Sequence, residues 1–169
     1  MPAQDITPQD LQFLRQAIEL ARDARSKGRH PFGCVIVNEH GQAIVVARNN
    51  AVRPQGEPTQ HAERLACSEA ASLLSEEELS RCTLYTSTEP CAMCAGAIYW
   101  IGVGRVVFAL SEKGLLEFTG NDQENPTLDL PCREVFAHGQ KPIVVVGPLI
   151  EEEAGKVHEG FWTRKAGPV

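Results

Sequence analysis

The sequence predicts an α/β protein with a central sheet of about five strands covered by helices. Apolar residues recur at helical spacing in several segments, and short runs rich in valine and isoleucine alternate with those segments along the chain. The length of 169 residues suits one domain with its own core, and neither an internal repeat nor a low-complexity tract divides it. Residues 1–169 therefore read as a single domain.

Thr7-Pro8-Gln9-Asp10 reads as a helix start, with Thr7 as N-cap, Pro8 at the first helical position and Asp10 able to reach back. Leu11, Leu14, Ile18 and Ala21 extend it to about Lys27, where Gly28 stops it. Cys34-Val35-Ile36-Val37 and Ala43-Ile44-Val45-Val46-Ala47, joined by a turn with Asn38, His40 and Gly41, read as a hairpin of two buried strands. The Pro- and Gly-rich stretch from Asn49 to Thr59 is a loop. A second helix from His61 to about Leu74 carries Leu65, Ala66, Ala70 and Leu73, with Thr59 as its expected cap.

The strand Thr83-Leu84-Tyr85-Thr86 follows, and a third helix begins near Cys91. Gly102 and Gly104 mark that helix's exit into the strand Arg105-Val106-Val107-Phe108. Residues 111–131 are polar, contain proline and are too long for a routine connection, so they are expected to carry function. A short helix at 133–137, the strand Ile143-Val144-Val145-Val146 and a last helix from near Leu149 complete the chain.

Hydrophobic residues make up 43% of the chain but never run for the ~18 residues a membrane span needs. The opening residues lack a basic-then-apolar signal, so a soluble cytoplasmic protein is expected. The net charge of −6 disfavours a nucleic-acid partner, which usually requires a basic surface. Without a secretory signal, the six cysteines are expected to be thiols or metal ligands. Cys34, Cys67, Cys82 and Cys132 stand alone and read as small buried hydrophobes.

Two segments carry chemistry. His61-Ala62-Glu63 and Pro90-Cys91-Ala92-Met93-Cys94 supply three nitrogen and sulfur ligands and one carboxylate. Three protein ligands with a fourth position left to water are what a catalytic zinc takes, and these donors fit zinc better than magnesium or calcium, which prefer oxygen. First-turn side chains lean past a helix N-terminus, so two such ends can meet at one metal, and their dipoles favour thiolates at Cys91 and Cys94. Zinc lowers the pKa of bound water to about 7, which makes a hydroxide nucleophile at neutral pH. Glu63 is the expected proton carrier, moving a proton from water to a ring nitrogen and then to a leaving amine. A lone Cys-x-x-Cys is also found in redox dithiols and structural zinc sites, but the vacant position and Glu63 point to hydrolysis.

The His-x-Glu and Pro-Cys-x-x-Cys pair matches the signature of zinc nucleobase deaminases. With Pro31-Phe32-Gly33, Asn49-Asn50, Pro58-Thr59-Gln60 and Ala95-Gly96-Ala97-Ile98, the chain resembles the cytidine and deoxycytidylate deaminase superfamily from residue 8 to about 110. The branch it resembles holds guanine deaminases, fungal cytosine deaminase and tRNA adenosine deaminases. The resemblance implies a three-layer α/β/α cytidine-deaminase-like fold around a mixed sheet, one zinc per chain, and a homodimer or higher oligomer. It also implies that Asn50, eleven residues before His61, hydrogen-bonds the base, and that Phe32 and the backbone around Glu89 help form the pocket.

Substrate choice is expected in residues 111–131 and 150–162. Ser111-Glu112-Lys113-Gly114-Leu115-Leu116-Glu117 departs from the glycine-rich, serine-containing segment of bacterial tRNA adenosine deaminases, and it lacks the Gly-Phe-Asp element of guanine deaminases. The acidic run Glu151-Glu152-Glu153 likewise disfavours a polyanion. Glu117, Asp122, Asp129 and Glu159 are candidate substrate contacts. Phe161 and Trp162 either close the pocket, as C-terminal aromatics do in fungal cytosine deaminase, or dock a terminal helix on the core.

The leading expectation is zinc-dependent deamination of a small free base of the cytosine, isocytosine or guanine type. The alternatives are a tRNA-specific adenosine deaminase and a non-catalytic binding module that keeps zinc for stability.

Overall fold

The computed structural model of the chain describes residues 6–120 and 122–162. Helix α1 (Pro8–Ser26) starts as its sequence predicts. Thr7 Oγ1 accepts from the Asp10 amide and the Asp10 carboxylate accepts from the Thr7 amide, which closes a capping box. The same carboxylate is buried and holds α1 to the sheet. It accepts from Tyr85 Oη at 2.9 Å and from both terminal nitrogens of Arg105 at 2.6 and 3.0 Å. Burial alone would raise the Asp10 pKa, but the hydrogen bonds from Arg105, Thr7 and Tyr85 outweigh it and hold the carboxyl well below the ordinary range.

Strands β1 (Gly33–Val37) and β2 (Ala43–Arg48) form the expected hairpin. β1 is buried throughout, whereas β2 exposes Ala43 and Val46 because it is an edge strand, so only one of the two is a core strand. Helix α2 (Ala62–Leu73) is followed by α3 (Glu76–Ser80), a short helix that apolar periodicity does not reveal but that Ser75 and Glu78 announce with a second capping box. Strand β3 (Thr83–Thr88), helix α4 (Ala92–Ile101) and strand β4 (Arg105–Leu110) make a parallel crossover, with Gly102 leaving α4 in the left-handed conformation at φ 81°.

The segment 111–131 is not one long loop. Its first part folds as helix α5 (Glu112–Thr119), capped by the Ser111 hydroxyl and seated by Leu115 and Thr119. Helix α6 (Cys132–Ala137), strand β5 (Val144–Val146) and helix α7 (Glu151–Gly155) follow.

The five strands run in the order β2-β1-β3-β4-β5, with β1 antiparallel to both neighbours and β3, β4 and β5 mutually parallel. Helices cover both faces, as successive residues of β1 show. A Cβ on Gly33 would lie 2.4 Å from Ala17 O and 2.6 Å from Leu20 Cβ, so α1 presses on the backbone there. Cys34 points the other way, toward Glu63 and Cys67 of α2. The three-layer arrangement around a mixed sheet is thus present. Among the described residues, no helix is long and apolar enough to cross a membrane. Cys34, Cys67, Cys82 and Cys132 are buried free thiols, as read from their surroundings.

Beyond α7 the chain folds back on the core through an aromatic cluster. Trp162 stacks on His158 and packs against Phe32 and His30, and Trp162 Nε1 donates to His158 Nδ1 at 3.2 Å. Burial, reinforced by the positive Arg25, lowers the His158 pKa to about 3, so the ring is neutral with its proton on Nε2. Acid protonates the unfolded histidine first. Its contribution to stability is therefore full above about pH 6.5 and is lost as pH falls from there toward about 3, by about 1.4 kcal/mol per unit for one proton. Urea unfolding at about pH 7 and about pH 5 should show this loss, and His158→Gln, which keeps an acceptor for Trp162, should shrink it.

Candidate active site

The site lies where the N-termini of α2 and α4 meet. His61 is the N-cap of α2 and Cys91 the N-cap of α4, both with extended backbone and neither spending its side chain on a capping hydrogen bond. An N-cap normally turns its side chain back onto the helix; here the imidazole and the thiol stay free for another partner. Thr59, the expected cap of α2, instead donates its hydroxyl to Glu57. Glu63 and Cys94 follow in the first turns of the two helices.

His61 Nδ1 and Cys91 Sγ are 3.6 Å apart, and the ligand atoms of His61, Cys91 and Cys94 all lie within 4.8 Å of one another. Two ligands of a tetrahedral zinc stand about 3.6 Å apart for ordinary zinc–sulfur and zinc–nitrogen bonds. The three side chains fit that ion in donor type and in spacing. Among the described residues they are the one group of three histidines, cysteines or carboxylates so placed.

Electrostatics in the metal-free cluster follow from proton sharing. A hydrogen bond from the Cys94 thiol, and then one from His61, lower Cys91 to about 4 against the opposing effect of burial. Cys94, hydrogen-bonded to that thiolate and buried, is pushed well above the ordinary thiol range. His61 is raised chiefly by its hydrogen bond to Cys91. Glu63 is 5% exposed, and burial raises its pKa while a hydrogen bond from Thr86 Oγ1 at 2.5 Å opposes the rise. The Cys94 sulfur lies 3.6 Å from the other Glu63 oxygen, where its one thiol hydrogen is shared between that carboxyl and Cys91.

These groups open into a cavity of about 240 Å³, lined among others by Phe32, His61, Glu63, Glu89, Cys91 and Glu112. No lysine or arginine is among its described lining residues. Glu89 is buried at its edge, where its carboxylate accepts from the amides of Glu112 and Cys132, both at 3.1 Å, tying the starts of α5 and α6 to the end of β3. A wider, more open groove of about 1060 Å³ runs along β5 and α6 past Arg133, Phe136 and Pro148, away from these chemical groups.

The profile of the cytidine and deoxycytidylate deaminase zinc-binding region matches residues 7–110. The chain belongs to that family. It is accordingly a deaminase, a hydrolytic enzyme. A probable cytosine deaminase of Schizosaccharomyces pombe is 44% identical over 164 residues, covering 96% of this chain and 98% of that protein. A tRNA-specific adenosine deaminase of Bacillus subtilis is 36% identical over 155 residues, covering 91% and 89%. A solved guanine deaminase from Nitrosomonas europaea superposes with a TM-score of 0.73 at 26% identity, covering 95% of this chain and 87% of that one.

Of the site residues expected for this deaminase, the structure brings His61, Glu63, Cys91, Cys94, Phe32 and Glu89 to one cavity. Asn50 stands elsewhere. Its Nδ2 donates to Gln60 Oε1 at 2.5 Å, its Oδ1 is buried without a partner, and it faces a surface depression with Arg29, Leu65 and Glu69. Phe161 and Trp162 are not among the described lining residues; Trp162 backs Phe32, as expected for aromatics docked on the core. Of the four acidic candidates, Glu117, Asp129 and Glu159 are exposed, and Asp122 is buried with its carboxylate on the Glu124 amide. The carboxyl that does line the cavity is Glu112. Its signal was Ser111, an N-cap residue that places the next side chain at the start of a helix.

Zinc uptake should reflect the proton on Cys94. Metal-free protein should take up about one zinc per chain with net proton release, seen as buffer-dependent heat in calorimetry, and affinity should weaken as pH falls because Cys94 and His61 must both be deprotonated to bind. Cys94→Ala should abolish uptake.

Proposed function

We propose that the protein is a zinc-dependent hydrolase that removes ammonia from a small free aminated heterocycle of the cytosine, isocytosine or guanine type. The cavity carries this reading. At about 240 Å³ it is smaller than the ~300–1,000 Å³ of pockets for drug-sized ligands, and it offers three glutamates and no described basic side chain. A phosphate would meet three glutamates there with no lysine or arginine to offset them, whereas a neutral base presenting N–H groups would meet acceptors. The similarity to a cytosine deaminase over nearly the whole chain supports the same reading.

His61, Cys91 and Cys94 hold one zinc, which when bound supplies Lewis acidity and a water-derived nucleophile at neutral pH. Glu63 takes a proton from the attacking water, passes it to a ring nitrogen and returns one to the departing amine. Its burial favours the protonated carboxyl, so a proton taken up is retained inside the cavity rather than lost to solvent. Thr86 is a positioning residue, because its hydroxyl fixes the rotamer of Glu63. Phe32 forms a wall for the ring, and Trp162 and Phe161 brace that wall from behind. Glu89 shapes the pocket through the backbone amides it holds. Asn50 contacts the ring if its amide exchanges Gln60 for substrate, which its unpartnered Oδ1 would favour. The enzyme works in the cytoplasm as a homodimer, for which Trp100 of α4, 77% exposed, offers an apolar contact.

Zinc-loaded protein should release ammonia from at least one member of a panel of amino-pyrimidines, amino-purines and amino-triazines; silence across the panel would refute the reading. Inosine formation in an anticodon stem-loop, falling steeply with salt, would establish the tRNA adenosine deaminase alternative instead. Glu63→Ala should keep zinc and lose about 10²–10⁴-fold in rate. Cys91→Ala should lose both zinc and activity. Thr86→Val should lower kcat about 10-fold with zinc content unchanged, the loss of one hydrogen bond to a carboxylate.

A further inference from the structure

Glu112, an acidic residue in the first turn of α5, is the carboxyl in the cavity that has no side-chain partner among the described residues. It is 7% exposed, and its side chain makes no hydrogen bond or ion pair with any described residue. Its backbone amide is occupied by Glu89 Oε2, so the residue is fixed in place while its carboxyl is left to the cavity. A second orphan stands beside it: Thr88, also a lining residue, has a buried hydroxyl without a partner. A buried carboxyl without a partner destabilises the fold, and such groups mark places where a ligand completes the hydrogen bonding.

The lining contains other polar groups whose tasks are visible. Glu63 accepts from Thr86, and each oxygen of Glu89 accepts from one backbone amide. Glu112 is the one carboxyl of the lining whose side chain has no hydrogen-bond partner among the described residues. Its neighbours cannot neutralise it, since burial comes first and then the negative Cys91, Glu89, Glu63 and Asp129 in raising its pKa to about 7. Near neutrality it therefore offers an acceptor in either protonation state.

We propose that Glu112 determines specificity by accepting a hydrogen bond from a ring N–H or a second amino group of the substrate, away from the amine that is removed. The substrate class that follows is a neutral aminated heterocycle with a further N–H donor on its edge, unphosphorylated and without a sugar on that nitrogen. This rests on the free-heterocycle reading of the cavity and adds to it the group that selects the ring. A ring that presents only acceptors on that edge would pair only with the protonated carboxyl and would leave the carboxylate desolvated and unpaired, so discrimination against it should sharpen as pH rises.

The test compares zinc-loaded wild type, Glu112→Ala and Glu112→Gln for ammonia release from cytosine, isocytosine, guanine and adenine, with zinc content and Tm measured for each. For the bases that wild type deaminates, Glu112→Ala should raise KM about 10–100-fold with kcat within a few-fold. Glu112→Gln, which keeps an acceptor oxygen, should recover much of that loss. Neither variant should lose zinc, and any fall in Tm should be at most the few degrees that an acidic side chain in the first turn of α5 contributes. Wild-type KM in both variants would overturn the role of Glu112 while leaving the free-base reading intact. Loss of zinc or a fall in Tm larger than that would make Glu112 a structural residue and would also overturn it. If wild type released ammonia from none of the four nor from any other amino-pyrimidine, amino-purine or amino-triazine, the free-base reading would fail, and the role of Glu112 with it.

Discussion

The packing of α2 against α4, with their N-termini at a common point, is the constraint on which the chemistry of this protein depends. Neither helix carries a complete site. α2 brings an imidazole and a carboxyl, and α4 brings two thiols. They meet because β3 and β4 are parallel, so α4 must cross back over the sheet and begin at the carboxyl end of β3, where open α/β sheets place their ligands. β1 lies next to β3 and positions α2 beside α4 on the same face. Three residues, Glu89-Pro90-Cys91, separate the strand from the helix, which leaves little freedom in where the thiols point.

Negative charge is concentrated at this junction, and each acidic group is stabilised in a different way. Asp10, in another part of the sheet, is a buried carboxylate fully matched by Arg105, Tyr85 and the start of α1, and it serves cohesion. Glu89 is matched by backbone amides and serves the shape of the cavity. Glu63 accepts from Thr86 and is buried at the cavity wall, which suits the proton carrier proposed for it. Glu112 is left unmatched. Functional sites tolerate such a group because the rest of the core is densely buried and offsets its cost.

Much of the fold was legible because its signals are local. The capping box at Thr7, the apolar runs of β1, β3 and β4 and the glycine after α4 act through neighbouring residues. Helix α5 was hidden because two buried side chains, Leu115 and Thr119, seat it within a largely polar segment. The exposed face of β2 was hidden because strand order, not residue type, makes it an edge. At the site, the clustering of His61, Cys91 and Cys94 beside Glu63 was legible from spacing. The positions of Asn50, Phe161 and Trp162 were not, because a rival partner, Gln60, takes the asparagine amide and Phe32 stands between the aromatics and the cavity.

The sequence by itself therefore determined the candidates for the chemistry: which donors could grip zinc, which carboxyl could move protons, and which helix ends would present them. Those properties belong to side-chain chemistry and to spacings within one turn of helix. Only the tertiary structure decided what surrounds the reacting atoms. The size of the cavity, the burial of Glu112 and the lack of a described basic side chain around it depend on α5, α6 and the strand ends packing together. Desolvation arises from that packing across long stretches of chain, and no local pattern of residues encodes it.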